Sequence, residues 1–169
     1  MESEEADSGD SNPPISGDLS TLAQFIENMG LHFEDYGVPR IGGKILGLLL
    51  VCARPVSPEE IAEVLQVSRS SISTNLRTLL MAGLADRITL PGERSDFYVL
   101  SDDAWESSLE MRLDGVQSLQ EMVENGMQGL DDHHPGRKRL QEILEWSELV
   151  KQSYEKLISA WQSRKEEPA

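Results

Sequence analysis

The chain has 169 residues, with 30 acidic side chains against 15 basic ones, a formal net charge of −15 and a single cysteine. That length suits one domain, or one domain with an added association element, and a lone Cys52 excludes a disulfide framework and a cysteine-based metal cluster. No apolar run approaches the ~20 residues needed to cross a bilayer, and the acidic N-terminus is neither a secretory signal nor a transit peptide, so the expectation is a cytoplasmic protein with no membrane contact.

The net charge argues at first against a nucleic-acid partner, but its distribution reverses that. Residues 1–18 contribute −6, residues 19–35 contribute −3 and residues 102–169 contribute −7. Residues 36–101 hold seven basic groups (Arg40, Lys44, Arg54, Arg69, Arg77, Arg87, Arg94) against six acidic ones, a balance of +1. A polyanion is repelled least there.

In chain order, residues 1–18 are acidic and rich in Ser, Gly and Pro, the composition of a disordered tail. Asp18 or Ser20 can cap a helix to about Asp35, with Leu22, Phe25, Ile26, Met29 and Phe33 on its apolar side. YGVP breaks it. A strongly apolar helix follows from Arg40 to Ala53, where Gly42, Gly43 and Gly47 permit close helix contact. Its GGKILG lacks the spacing of a phosphate-binding loop. Next, Ser57, Pro58 and Glu60 supply an N-cap, a first-turn proline and a capping box for the helix PEEIAEVLQ.

After a tight connection at Val67 comes a helix capped by Ser68 and stopped by Gly83. Ile72, Leu76, Leu79 and Leu80 make one apolar face. The other positions hold Ser68, Ser70, Ser71, Ser73, Thr74 and Asn75, which together sacrifice on the order of 3 kcal/mol of helix propensity. LADRITL and DFYVL then flank PGERS, which reads as a β-hairpin with a charged tip. Ser101 is the expected N-cap of a helix running to about Leu130, with Asp102 and Asp103 in its first turn. DDHHPG is a turn. A last helix spans about Arg137 to Arg164, with Leu140, Ile143, Val150, Tyr154, Leu157 and Trp161 close to heptad positions and Ser147 breaking the seam.

The order helix, capped short helix, tight turn, polar-faced helix and hairpin is that of a winged helix-turn-helix. There the second helix of the turn enters the major groove, so its free face needs short groups that approach bases closely and arginines that engage guanine. The candidate DNA-binding residues are Ser68, Arg69, Ser70, Ser71, Ser73, Thr74 and Arg77, with Arg94 at the hairpin tip for the minor groove and Arg87 for the backbone. A Ser/Thr-rich helix can also be a plain solvated face; the surrounding winged order is what favours DNA contact.

The stretches YGVPRIGGKILGLLL, SPEEIAEVLQVSRSSISTNLRTLLMAGLADR and PGERSDFYVL together resemble the MarR superfamily, and more narrowly its GbsR-like branch, over about residues 20–130. The resemblance implies a prokaryotic dimeric transcription regulator with its recognition helix at Ser68 to Met81, its wing at Ile88 to Val99 and a dimer interface of terminal helices. The acidic tail and the acidic C-terminal half are not part of that pattern.

The fold expected is mainly α with a small β-wing: a tail at 1–18, a winged helix-turn-helix domain at 19–101 and a helical dimerisation region at 102–169. The function expected is a homodimeric, sequence-specific DNA-binding regulator, most simply a repressor, on an inverted-repeat operator. The alternative is a winged-helix protein-interaction module without DNA binding. Asp131, Asp132, His133 and His134 are adjacent in one turn and read as a polar turn rather than a metal site. Cys52 reads as a buried small side chain rather than a thiol sensor. Trp105, Trp146, Tyr154 and Trp161 fit packing better than an effector pocket, so a small-molecule effector is left unidentified. There is no nucleophile–base pair, paired-carboxylate site or cofactor motif, so an enzyme is not expected.

Overall fold

Eight elements are described in the computed structural model, which covers residues 19–34 and 37–166. The tail expected at 1–18, with the cap expected at Asp18, and the helix end expected at Asp35 lie outside the described residues. The order is α1 (Leu19–Glu34), α2 (Arg40–Val51), α3 (Pro58–Leu65), α4 (Arg69–Met81), β1 (Ala85–Thr89), β2 (Asp96–Leu100), α5 (Ala104–Gln128) and α6 (Arg137–Glu166). The chain divides into two compact units: Met1–Leu80 with Ala85–Leu100, and Met81–Leu84 with Ser101–Ala169.

In the first unit, α1 lies antiparallel on α2 because glycines remove the side chains that would hold them apart. A Cβ on Gly43 would stand 2.8 Å from the Met29 carbonyl oxygen, and one on Gly47 would stand 2.9 Å from Met29 Cβ. Ile26 of α1 and Ile45, Leu46, Leu48 and Leu49 of α2 are buried. α2 ends at Val51, two residues earlier than the sequence suggests, because Cys52 turns into an extended conformation.

The capping box of α3 is formed as its sequence requires. Ser57 Oγ accepts from the Glu60 amide, and Glu60 answers by accepting from the Ser57 amide at 2.9 Å. Arg54 clamps the other Glu60 oxygen at 2.6 Å. Burial alone would raise the Glu60 pKa, but the hydrogen bonds from Arg54 and Ser57 outweigh it and hold the carboxyl below its ordinary value. α3 closes on Gln66 in the left-handed region, at φ 53°. The Val67 amide then donates to Ala62 O, which completes the tight turn into α4.

β1 and β2 pair antiparallel, with Arg87 opposite Tyr98 and Thr89 opposite Asp96. Val56 adds a bridge on the outer edge of β2, exchanging both backbone hydrogen bonds with Tyr98. At the hairpin tip the Glu93 amide donates to Leu90 O, with Pro91 second and Gly92 third at φ 87°. That is the residue order of a type II turn, which needs a positive φ at its third position.

The second unit is an antiparallel pair, α5 against α6. Its far end is tied by Arg137, which donates to the carbonyls of Met127 and Leu130. Its near end is tied by Lys165, which binds Asp103 and the Asp102 carbonyl. α5 begins later than the sequence suggests: Asp103 is the N-cap and makes no side-chain cap bond, so Asp102 and Asp103 precede the first turn. The Ser101 carbonyl accepts from the Ala104 amide in a turn that precedes the helix, and the first helical bond runs from the Ser107 amide to Asp103 O. Ser147, the expected break in the α6 seam, is its most buried residue at 0% exposure. Its hydroxyl turns back to Leu144 O, which leaves a small, internally satisfied surface for α5 to approach. Leu157, expected on that seam, is instead 52% exposed. It forms an uncovered apolar stripe with Trp146 and Leu149, which are 55% and 66% exposed.

Candidate nucleic-acid interface

α4 divides cleanly by side-chain exposure. Ile72, Asn75, Leu76 and Leu79 are buried, while Arg69, Ser70, Ser73, Thr74, Arg77, Thr78 and Met81 are exposed. At 100° per residue the exposed set occupies one continuous half of the helix surface. Ser71 lies at the border, half-buried. Of the polar residues singled out on this helix, Asn75 is the one that faces inward. Its Nδ2 donates to Ser71 O, and its Oδ1 lies 3.1 Å from where a Gly42 Cβ would stand. The amide therefore fills a notch that glycine opens in α2.

The hydroxyls of Ser70, Thr74 and Thr78 on the exposed half have local partners. Ser68 Oγ caps α4 by accepting from the Ser71 amide at 3.3 Å, and it lies 3.1 Å from Ser70 Oγ. Thr74 donates to Ser70 O and Thr78 donates to Thr74 O. The Ser68 cap offsets part of the poor intrinsic propensity of the sequence, whereas the two threonine bonds to carbonyls one turn back do not. Thr78 and Met81 extend the same surface, and Met81 is 87% exposed. Continuing the exposed positions by one turn from Thr74, and by two, finds both in the sequence.

The arginines are held differently. Arg69 lies 3.7 Å from Glu59, and Arg87 lies 3.4 Å from Asp96 across the hairpin. Both pairs are largely exposed, so they are weak and exchangeable. Arg77 and Arg94 are exposed, and among the described residues neither has an ion-pair partner. The α4 sequence RSSISTNLRTLLM contains no carboxylate.

Burial pushes the Cys52 thiol up to about 11, so it is protonated and unreactive near neutral pH. The turn at Asp131–His134 is exposed, and among the described residues no group of three His, Cys, Asp or Glu side chains is arranged to hold a metal ion. No helix among them is long and apolar enough to cross a membrane.

Comparison with known proteins agrees with this architecture. Residues 103–164 match the family model described as MmpR5-like MarR family transcriptional regulator. The HTH-type transcriptional regulator MmpR5 of Mycobacterium tuberculosis (strain ATCC 25618 / H37Rv) is 33% identical over 134 residues, covering 76% of this chain and 81% of that protein. The HTH-type transcriptional repressor OpcR of Bacillus subtilis (strain 168) is 23% identical over 86 residues, 51% of this chain and 46% of that one. A crystal structure titled as that of a transcriptional regulator superposes with a TM-score of 0.75 at 30% identity, covering 85% of this chain and 99% of its own. One relative 33% identical over four-fifths of its length, a matching family model and a superposable crystal structure point the same way: the chain belongs to the MarR family of winged-helix transcriptional regulators.

Proposed function

We propose that this regulator binds DNA sequence-specifically as a homodimer, with α4 of each protomer in a major groove. Arg69, Ser70, Ser73, Thr74 and Arg77 face the bases, Ser68 and Ser71 face the phosphates at the helix start, Arg87 faces the backbone and Arg94 the minor groove. The observation that carries this reading is the exposed half of α4: polar, free of carboxylates and bearing two arginines. In a chain of net charge −15, that surface is where a polyanion meets the least repulsion.

The helical region 102–169 is the dimerisation region of this proposal. The exposed Trp146, Leu149 and Leu157 on α6 supply apolar surface that a second copy would cover. Two-fold symmetry then implies an inverted-repeat operator, with half-site centres about 34–36 Å apart. An effector would act by altering the spacing of the two α4 helices. The repressor assignment draws on OpcR, whose name states that activity, and the GbsR-like branch draws on YGVPRIGGKILG. A cytoplasmic site of action follows from a DNA partner.

The test is fluorescence anisotropy on the DNA upstream of the protein's own coding sequence, at two salt concentrations, beside Arg77→Ala. Saturable, salt-sensitive binding that exceeds binding to scrambled DNA and is weakened in the variant is expected. Absence of binding to any duplex at low salt would overturn the reading in favour of a protein-interaction module.

A further inference from the structure

The first unit contains seven lysine and arginine side chains, none of them before Arg40. Five are engaged by carboxylates: Arg40 and Lys44 share Glu27, Arg54 holds Glu60, Arg69 lies by Glu59 and Arg87 by Asp96. Among the described residues, Arg77 and Arg94 are left without a carboxylate. The unit has matched its cations with acids everywhere except on the exposed half of α4 and at the wing tip.

The chain also holds a run of acid with no base in it. Residues 1–18 carry Glu2, Glu4, Glu5, Asp7, Asp10 and Asp18 with no lysine or arginine, and they lead directly into α1. They end at α1, which packs on α2, the same helix that α4 touches. Ile26 of α1 lies beside Gly47 of α2, and Asn75 of α4 rests on Gly42 of the same helix. With a rise of 1.5 Å per residue along the antiparallel pair, the start of α1 stands about 18 Å along α2 from the point where α4 meets it. Eighteen residues extend to about 60 Å, so the reach is ample. A tethered segment within reach of its site is presented at roughly millimolar effective concentration.

We infer that the acidic segment 2–18 occupies the Arg77 and Arg94 surface when DNA is absent, as a competitor built into the chain. Glutamates and aspartates satisfy the two arginines, and a duplex displaces them because its charge is denser and its binding releases counterions. This rests on the proposed DNA face. Mutual exclusion lowers the apparent affinity for every duplex by one common factor, which raises the concentration at which the regulator engages DNA.

The experiment uses the full chain and a neutralised form carrying E2Q, E4Q, E5Q, D7N and D10N, with Asp18 kept because it borders α1. Without DNA, NMR compares the side-chain Nε–Hε resonances of Arg77 and Arg94 and the amides of Ser73 and Thr74. Shifts at these positions, reversed as salt is raised, are the expected result; unchanged resonances overturn the inference whatever the DNA titration gives. At low salt the neutralised chain should also bind DNA roughly tenfold tighter, the order set by a few exposed charge pairs acting together. That gain should shrink when Arg77→Ala and Arg94→Ala are present, whereas an equal gain in both backgrounds means general repulsion and overturns docking. If no form of the chain binds DNA, the proposed function fails, while the resonances still decide whether the segment docks.

Discussion

Arg77 and Glu60 show how differently two charged residues of one domain are used. Arg77 stands on the exposed half of α4 with no ion-pair partner among the described residues. In the proposed complex, Arg77→Ala costs about 1–3 kcal/mol on the cognate site and relaxes discrimination at one base position. Competition binding against single-base operator variants checks this, and an unchanged base preference removes the direct-readout role. Glu60 is held by Arg54 and by the Ser57 amide. Because its pKa is lowered in the folded chain, its contribution is present above the usual carboxylate value of 4.5 and is lost as pH falls through the lowered value. Urea unfolding should therefore show wild type more stable than Glu60→Gln at pH 7, with the gap closing as pH falls below about 4.5. Ser57→Ala, which removes the other half of the box, should cost about 0.5–2 kcal/mol. The pattern that reveals Glu60 is local and legible, since Ser57-Pro58-x-Glu60 is a helix start in any context. The pairings Arg69–Glu59 and Arg87–Asp96 were not legible, because each joins residues that only the turn and the hairpin bring together.

Among the elements, those bounded by local chemistry were readable and those bounded by distant contacts were not. α3 begins on Ser57 and Pro58, α4 begins after Ser68 and is followed by Gly83, and the hairpin turns on Pro91 and Gly92, positions whose preferences act within a few residues. The start of α5 offered Ser101, Asp102 and Asp103, all good caps, and Ser101 is also tied to the end of the hairpin, its amide donating to Leu84 O seventeen residues before. Asn75 belongs to the same class: its spacing alone cannot show that Gly42, in another helix, leaves room for it. The α1–α2 contact tests how strict such vacancies are. Gly43→Ala would drive a Cβ to 2.8 Å from Met29 O and 3.0 Å from Gly30 Cα, both backbone atoms of α1. The helices must separate, and a loss of about 1–3 kcal/mol in denaturant unfolding is expected.

For the whole molecule, the proposed dimer and the charge distribution make separate predictions. Leu149 is 66% exposed in the protomer, so Leu149→Glu should leave monomer stability within about 0.5 kcal/mol. In the proposed dimer it would bury an unpaired charge, so sedimentation velocity should show a folded monomer. A dimer of unchanged affinity would place the interface elsewhere. The logarithm of the DNA association constant should fall with the logarithm of salt concentration by about 0.9 per neutralised phosphate, and Arg94→Ala should reduce that slope by about one.

The threonines of α4 give the proposed operator a direction. Thr74 and Thr78 each donate their proton to a carbonyl one turn back, so outward they present lone pairs alone. Arg77, beside them on the same exposed half of the helix, presents only protons. These two threonines and this arginine thus set takers beside a giver, and a base pair must answer in the opposite sense. The amino groups of adenine and cytosine give protons, and N7 and O6 of guanine take them. An operator fitted to this helix would set guanine under Arg77 and an adenine or cytosine under Thr74, a sequence preference carried by the direction in which a hydroxyl spends its hydrogen.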